Sequence, residues 1–252
     1  MTSPDRIYTA ALVIIGDEIL SGRTQDANLA YLAKWLNVQG IRLAHVRVVP
    51  DIEAEIIEAV NACRARHDYL FTTGGIGPTH DDITIDAIAK AFDVPVVIHP
   101  EAEEMLRAYY GGGLTDARLR MARVPDGADL IHNALSAAPG IRIGNVYILA
   151  GVPGVARAML HGLDGQLAGG LPVLSRTVGA KVGESTVADL LRNTEAAFPG
   201  VQVGSYPFWR DGEPNANFVI RSTDPGAMNA AAEAILKGLA ELGLDPTDGE
   251  IR

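Results

Sequence analysis

The chain has 252 residues, a formal net charge of −10 and a pI near 5.0, so no basic surplus exists to neutralise a phosphate polymer and no nucleic-acid partner is expected. Hydrophobic residues at 48% and charged residues at 21% suit a globular chain with one substantial core and a small second unit. The single cysteine, Cys63, excludes an intramolecular disulfide and a cysteine-rich zinc site; with no signal-peptide core and no apolar run of ~20 residues, a cytoplasmic protein without a membrane partner is expected.

Residues 9–15 form an apolar run, which predicts a strand covered on both faces and ended by Gly16-Asp17-Glu18. Asp26 can cap the next helix, whose Leu29, Leu32, Ala33 and Leu36 share one face before Gly40 stops it. Residues 41–49 read as a strand, and Asp51 as the cap of a helix carrying Ile52, Ile56, Val60 and Cys63. Residues 69–73 predict a third strand, and Ile85, Ile88, Ala89 and Phe92 mark the helix after it. This alternation argues for a parallel, helix-covered sheet with right-handed crossovers.

Residues 94–98 predict a short strand and 100–110 a helix, broken by three glycines and resumed over 114–123 behind a Thr115 cap. Gly144-Asn145 is a hairpin turn between residues 141–143 and 146–149. Gly151-Val152-Pro153-Gly154 then opens a helix through about Leu163. A glycine-rich stretch over 162–172 marks a boundary, giving a first domain over 1–170 and a small α+β domain over 174–252. The second domain is read as strands at 175–182, 202–206 and 217–221, with helices at 184–197 and 225–242.

The chemistry concentrates in Thr73-Gly74-Gly75-Ile76-Gly77-Pro78-Thr79-His80-Asp81-Asp82, which joins a strand to a helix start. Gly74, Gly75 and Gly77 let a ligand approach the main chain, and N–H groups there suit phosphate oxygens. Asp81 and Asp82 would repel bare phosphate, which points to a bridging cation or a ligand hydroxyl. Helix capping is the plainer role for one of them. Asp17 and Glu18 end the first strand at the edge where open α/β sheets bind ligands. Asp17, Glu18, Asp81 and Asp82 are therefore the candidate metal carboxylates, for Mg, Mn or Co. Asn28 is either a loop-fixing amide or a ligand contact. Lys181 and Arg210 read mainly as solvated charges, and are the second domain's candidates for a role in a cleft.

Gly16-Asp17-Glu18-Ile19-Leu20-x-Gly22, Asp26-x-Asn28 and Thr73–Thr84 together resemble the N-terminal region of the competence/damage-inducible CinA proteins, within the molybdopterin-binding (MoaB/Mog-like) superfamily. The segment from Asn133 to Ala138-Pro139-Gly140, and Gly151-Val152-Pro153, resemble that family's later loops. The small second domain resembles the KH-like middle region of CinA proteins.

The resemblance implies a three-layer α/β/α, mostly parallel molybdopterin-binding-like fold whose sheet edge binds a small phosphorylated ligand: ADP-ribose, FAD or molybdopterin. It implies ligand contacts at Gly16, Asp17, Asn28, Thr73, Gly74, Gly75, Gly77, Pro78, Thr79, Gly151 and Pro153. It makes Asp82, Asp81 and Glu18 candidates for catalysis by a metal-dependent pyrophosphatase. A non-hydrolytic molybdopterin-binding protein is the alternative. A homo-oligomer is also implied, and the nicotinamide-nucleotide deamidase activity of longer relatives is expected to be absent. Val155 departs from the family pattern, standing where a glutamate is common, and Ala150 stands where a proline is usual.

Overall fold

The computed structural model describes residues 6–251; the N-terminal residues 1–5, read above as lacking a signal peptide, and residue 252 lie outside them. The chain divides into two compact units, Met1–Leu171 and Pro172–Arg252. The first contains β1 (Tyr8–Ile15), α1 (Asp17–Leu20), α2 (Asn28–Val38), β2 (Ile41–Val49), α3 (Glu53–Arg64), β3 (Tyr69–Thr73), α4 (Thr84–Ala91), β4 (Val96–Ile98) and α5 (Pro100–Tyr110). It continues through α6 (Asp116–Leu119), β5 (Arg123–Pro125), β6 (Asp129–Ile131), β7 (Gly140–Ile143), β8 (Val146–Leu149) and α7 (Pro153–His161).

Six strands form one mixed sheet in the order β2-β1-β3-β8-β7-β6. The pairings β2–β1, β1–β3 and β3–β8 are parallel, and β8–β7 and β7–β6 are antiparallel. The two-residue loop Gly144-Asn145 makes the β7–β8 hairpin, with Ile143 opposite Val146 and Gly144 at φ 56°. β1 explains its own apolar run, because its two faces feed two cores. Ala11, Val13 and Ile15 pack with residues of α3 and α4, while Ala10, Leu12 and Ile14 pack with residues of α2 and α7. That is the α/β/α layering. Phe71 of β3 is fully buried, stacked on Tyr147 with ring centroids 5.1 Å apart and edge-on to Trp35 at 6.1 Å; truncating such a side chain costs about 3–5 kcal/mol.

The second unit contains β9 (Leu174–Ala180), α8 (Glu184–Ala197), β10 (Gln202–Arg210), β11 (Glu213–Ser222), α9 (Pro225–Glu241) and β12 (Thr247–Asp248). Its sheet is antiparallel in the order β10-β11-β9-β12, with one core drawn from strands and both helices. Asp224 caps α9 by accepting from the Gly226 and Ala227 N–H groups, at 2.7 and 3.2 Å. Lys181 lies 3.8 Å from Glu213, and Arg210 lies 3.7 Å from Asp211. These basic residues are exposed surface charges with local partners.

Several local expectations change. The predicted 114–123 helix is one turn, α6, followed by a 3-10 turn at Arg120–Ala122 and then β5. β5 pairs with β4 through Val96 opposite Pro125, a long-range contact that no local periodicity announces. Gly111–Gly113 form a 3-10 turn rather than a plain break. Asp51 does not cap α3: the chain is still extended at Ile52 (φ −119°, ψ 121°), and the Asp51 carboxylate turns to another loop.

Candidate functional site

β3 delivers the chain into the glycine loop beside the end of β1. Gly74 has φ 104°, and a Cβ there would lie 2.1 Å from the Ile15 carbonyl oxygen. Only glycine lets the two strand ends come this close. Gly75 has φ 66°, and a Cβ there would meet the Thr84 hydroxyl at 2.2 Å. That hydroxyl donates to the Gly74 carbonyl at 2.9 Å, while the Thr84 N–H donates to the Gly75 carbonyl at 3.0 Å. The first residue of α4 thus staples the loop from below.

The acidic end of the loop is tied to itself. Asp82 Oδ2 accepts from the Thr79 N–H at 2.8 Å and from the Thr79 hydroxyl, and its carboxylate would touch a Cβ placed on Gly77. Asp82 therefore shapes the turn that Thr79 and Pro78 occupy, and does so as a local acceptor. Asp81 is exposed, with its Oδ1 3.9 Å from His80 Nδ1. Thr73 is buried, and its hydroxyl, like that of Thr72, has no hydrogen-bond partner.

Two further loops meet this one. At the end of β1 the Gly16 N–H donates to the Val49 carbonyl at 3.1 Å, and the Glu18 carboxylate folds back over Gly16. The Asp17 N–H donates to Asp51 Oδ2 at 3.0 Å. Burial pushes the Asp51 carboxyl up; the Asp17 N–H offsets part of this, and the charges of Asp17, Glu18 and Asp81 push it up again. Asp51 is the site residue that its sequence position as a helix cap concealed. At the end of β8, a Cβ on Gly151 would lie 3.3 Å from Gly74 Cα. The Asn28 amide donates to the Gly151 carbonyl at 2.8 Å. Asn28 is thereby a buried loop-fixing amide, and Pro153 follows as the first residue of α7.

The expected residues thus fall beyond the carboxyl ends of β1, β3 and β8, in the loops there and at the starts of the helices that follow. Among the described residues, no three acidic, histidine or cysteine side chains are grouped to hold a metal ion by themselves. The donor set does suit a cation that arrives with phosphate, since Mg²⁺ takes one or two carboxylates and fills its shell from phosphate and water. Glu18, Asp17, Asp81 and Asp82 are the carboxylates available to it.

Residues 11–172 match the family model described as a probable molybdopterin binding domain. The chain belongs to that family. Within it the chain is CinA-like. A solved structure of CinA, of unknown function, from Thermoplasma acidophilum is 33% identical with a TM-score of 0.60, covering 64% of this chain and 98% of that one. A CinA-like protein from Desulfosudis oleivorans is 33% identical, covering 77% of this chain and 51% of that protein. Residues 172–248 match a second model, the FAD synthase middle domain. A probable FAD synthase of Caenorhabditis elegans is 31% identical, covering 93% of this chain and 50% of that protein. The chain thus spans about half the length of these two relatives.

The departures from the CinA-like pattern have visible consequences. Val155 is partly buried against the core shared by α2 and α7, so an apolar side chain packs where a carboxylate is usual. Ala150 packs there too. Asn133 organises the later loop, donating to the Ser136 hydroxyl at 2.7 Å and to the Ala138 carbonyl at 2.8 Å. No helix among the described residues is long and apolar enough to cross a membrane.

Proposed function

We propose that the chain binds a nucleotide pyrophosphate, ADP-ribose or FAD, across the Gly74–Thr79 loop and hydrolyses it with a divalent cation. The observation that carries the reading is the state of the loop's main chain. Among the described residues, the N–H groups of Gly75, Ile76 and Gly77 donate to no other residue, while the Gly74 and Gly75 carbonyls are held by Thr84. Three successive unengaged N–H groups on a fixed loop are a ready anion cradle, and they cost no reorganisation when charge arrives.

The remaining side chains take roles by position. Thr84, Asn28 and the Thr79–Asp82 turn fix the cradle's shape. A cation held by Glu18, Asp17, Asp81 or Asp82 together with the ligand's phosphates would neutralise the pyrophosphate and make a bound water more acidic. The similarity of residues 172–248 to an FAD synthase domain supports a flavin or adenine nucleotide as ligand. A second reading is a non-hydrolytic molybdopterin-binding protein. Val155, an apolar side chain packed against the core of α2 and α7, favours it.

A thermal-shift series separates the readings. ADP-ribose and FAD, each with Mg²⁺, Mn²⁺ or Co²⁺, should raise Tm more than either component alone. Stabilisation by isolated molybdopterin and by neither nucleotide transfers the assignment to the second reading.

A further inference from the structure

Leu135 and Val152 are large apolar side chains at 61% and 62% exposure, and both stand on loops of the glycine-loop site. A single exposed leucine is ordinary on any protein surface. These two differ in being held out by pinned backbone. Asn133 is buried; its Oδ1 accepts from the Leu135 N–H at 3.0 Å, and its amide donates to the Ala138 carbonyl at 2.8 Å. The Asn28 amide, also buried, holds the Gly151 carbonyl that precedes Val152. The two side chains stand close together. Leu135 Cδ2 would lie 3.4 Å from a Cβ on Gly154 in the first turn of α7, and Val152 is the residue just before that helix.

Both loops also border the glycine loop. Gly151 approaches Gly74, so Val152 is only about 3.8 Å of chain beyond that contact. Ala138 and Pro139, at the far end of the Asn133 loop, line one cleft with Ile76 and Gly77. An apolar pair on fixed backbone beside three unengaged N–H groups matches a ligand with phosphate at one end and a flat apolar face at the other. A sugar phosphate has no such face. We propose that Leu135 and Val152 form a base subsite, packing on the heteroaromatic ring of a nucleotide whose phosphate occupies the Gly75–Gly77 N–H groups. The proposal rests on the phosphate reading of the glycine loop, and adds the two side chains that tell a nucleotide from a simpler phosphate. Because their loops are already pinned, little freedom is lost when the ring arrives.

AMP, FMN and ribose 5-phosphate serve as probes on the full chain. None contains a pyrophosphate bond, so binding is read without turnover, and AMP differs from ribose 5-phosphate by its base. Calorimetry compares wild type with Leu135→Ala and Val152→Thr, and NMR of leucine and valine methyl groups follows the two side chains through the ring current of a stacked base. The expected result is binding of AMP or FMN at least about tenfold tighter than ribose 5-phosphate, with both side chains' methyl resonances shifted by the nucleotide alone. Leu135→Ala should weaken the nucleotide about tenfold and Val152→Thr several-fold, with ribose 5-phosphate unchanged. Ribose 5-phosphate that binds as tightly as the nucleotides, with both variants like wild type, overturns the proposal and leaves the phosphate reading standing. Variants that weaken ribose 5-phosphate and nucleotide equally assign the effect to loop shape and overturn it too. Binding of no probe to wild type overturns both.

Discussion

The Thr84 hydroxyl donates to the Gly74 carbonyl at 2.9 Å from a fully buried position, so the first residue of α4 holds the strand end from which the glycine loop departs. Thr84→Ala removes that donor and leaves a buried carbonyl unpaired. A loss of about 1–2 kcal/mol is expected, with weaker binding of phosphorylated ligands. Urea unfolding reads the first quantity and calorimetry with ADP-ribose the second. Unchanged stability would mean that Thr84 is not the staple.

Gly74 and Gly22 both have positive φ, yet their surroundings differ. At Gly74 an added Cβ would sit 2.1 Å from the Ile15 carbonyl oxygen, whereas at Gly22 it would meet nothing within 4 Å. Gly22→Ala should cost about 1 kcal/mol, from backbone conformation alone. Gly74→Ala must also push two strand ends apart, and should cost at least about 3 kcal/mol. Chemical denaturation of the pair tests this. Equal costs would show that the close approach of β1 and β3 is not required.

Asp51 yields a pH dependence whose sign follows from its surroundings. Burial and the neighbouring carboxylates raise its folded pKa above the unfolded value. The stability tied to its proton is complete below the unfolded pKa and is lost as pH rises through the folded one. Asp51→Asn keeps an acceptor for the Asp17 N–H and removes the charge. The variant should match wild type near pH 3 and gain on it above about pH 4, by roughly 1–2 °C in Tm at neutral pH. A gain that is the same at every pH would contradict the assignment.

Asp164 gives the opposite sign. Its Oδ1 accepts from Trp35 Nε1 at 2.7 Å and its Oδ2 lies 3.1 Å from His161 Nδ1, and these bonds, the Trp35 one foremost, hold its carboxyl below the usual range. The stability it contributes is present above the unfolded pKa and fades as pH falls through the folded one. Asp164→Ala also orphans the indole N–H of Trp35, and should cost about 1 kcal/mol at pH 7. Tm measured from pH 7 to pH 2 should show the gap closing at the acid end. A gap as large at pH 2 as at pH 7 would assign the effect to the lost acceptor for Trp35 rather than to the charge.

The legible parts of the fold were those with a local signature. β1 showed itself by an apolar run that both cores need, and the loop by glycines that Ile15 and Thr84 leave no room to replace. β5 and β6 were invisible because each has three residues and exists through distant pairing, as when Ile98 lies opposite Arg123. Asp51 looked like a cap because it precedes a helix by two positions. The Asp17 N–H that it satisfies is 34 residues away, and no spacing announces such a bond. Asn28 presents two roles in sequence, and the structure adds that its amide donates to the Gly151 carbonyl, 123 residues away.

Cleavage of a nucleotide pyrophosphate at the glycine loop is tested most directly by product analysis. Purified protein is incubated with ADP-ribose or FAD and Mg²⁺, Mn²⁺ or Co²⁺, and AMP release is followed by ³¹P NMR, with Glu18→Gln and Asp82→Asn in parallel. Asn at 82 can still accept from Thr79, so that variant reports on charge with the turn intact. AMP formation should need the cation and fall at least about tenfold in both variants. Nucleotide that stabilises the protein yet stays intact with every cation would contradict it.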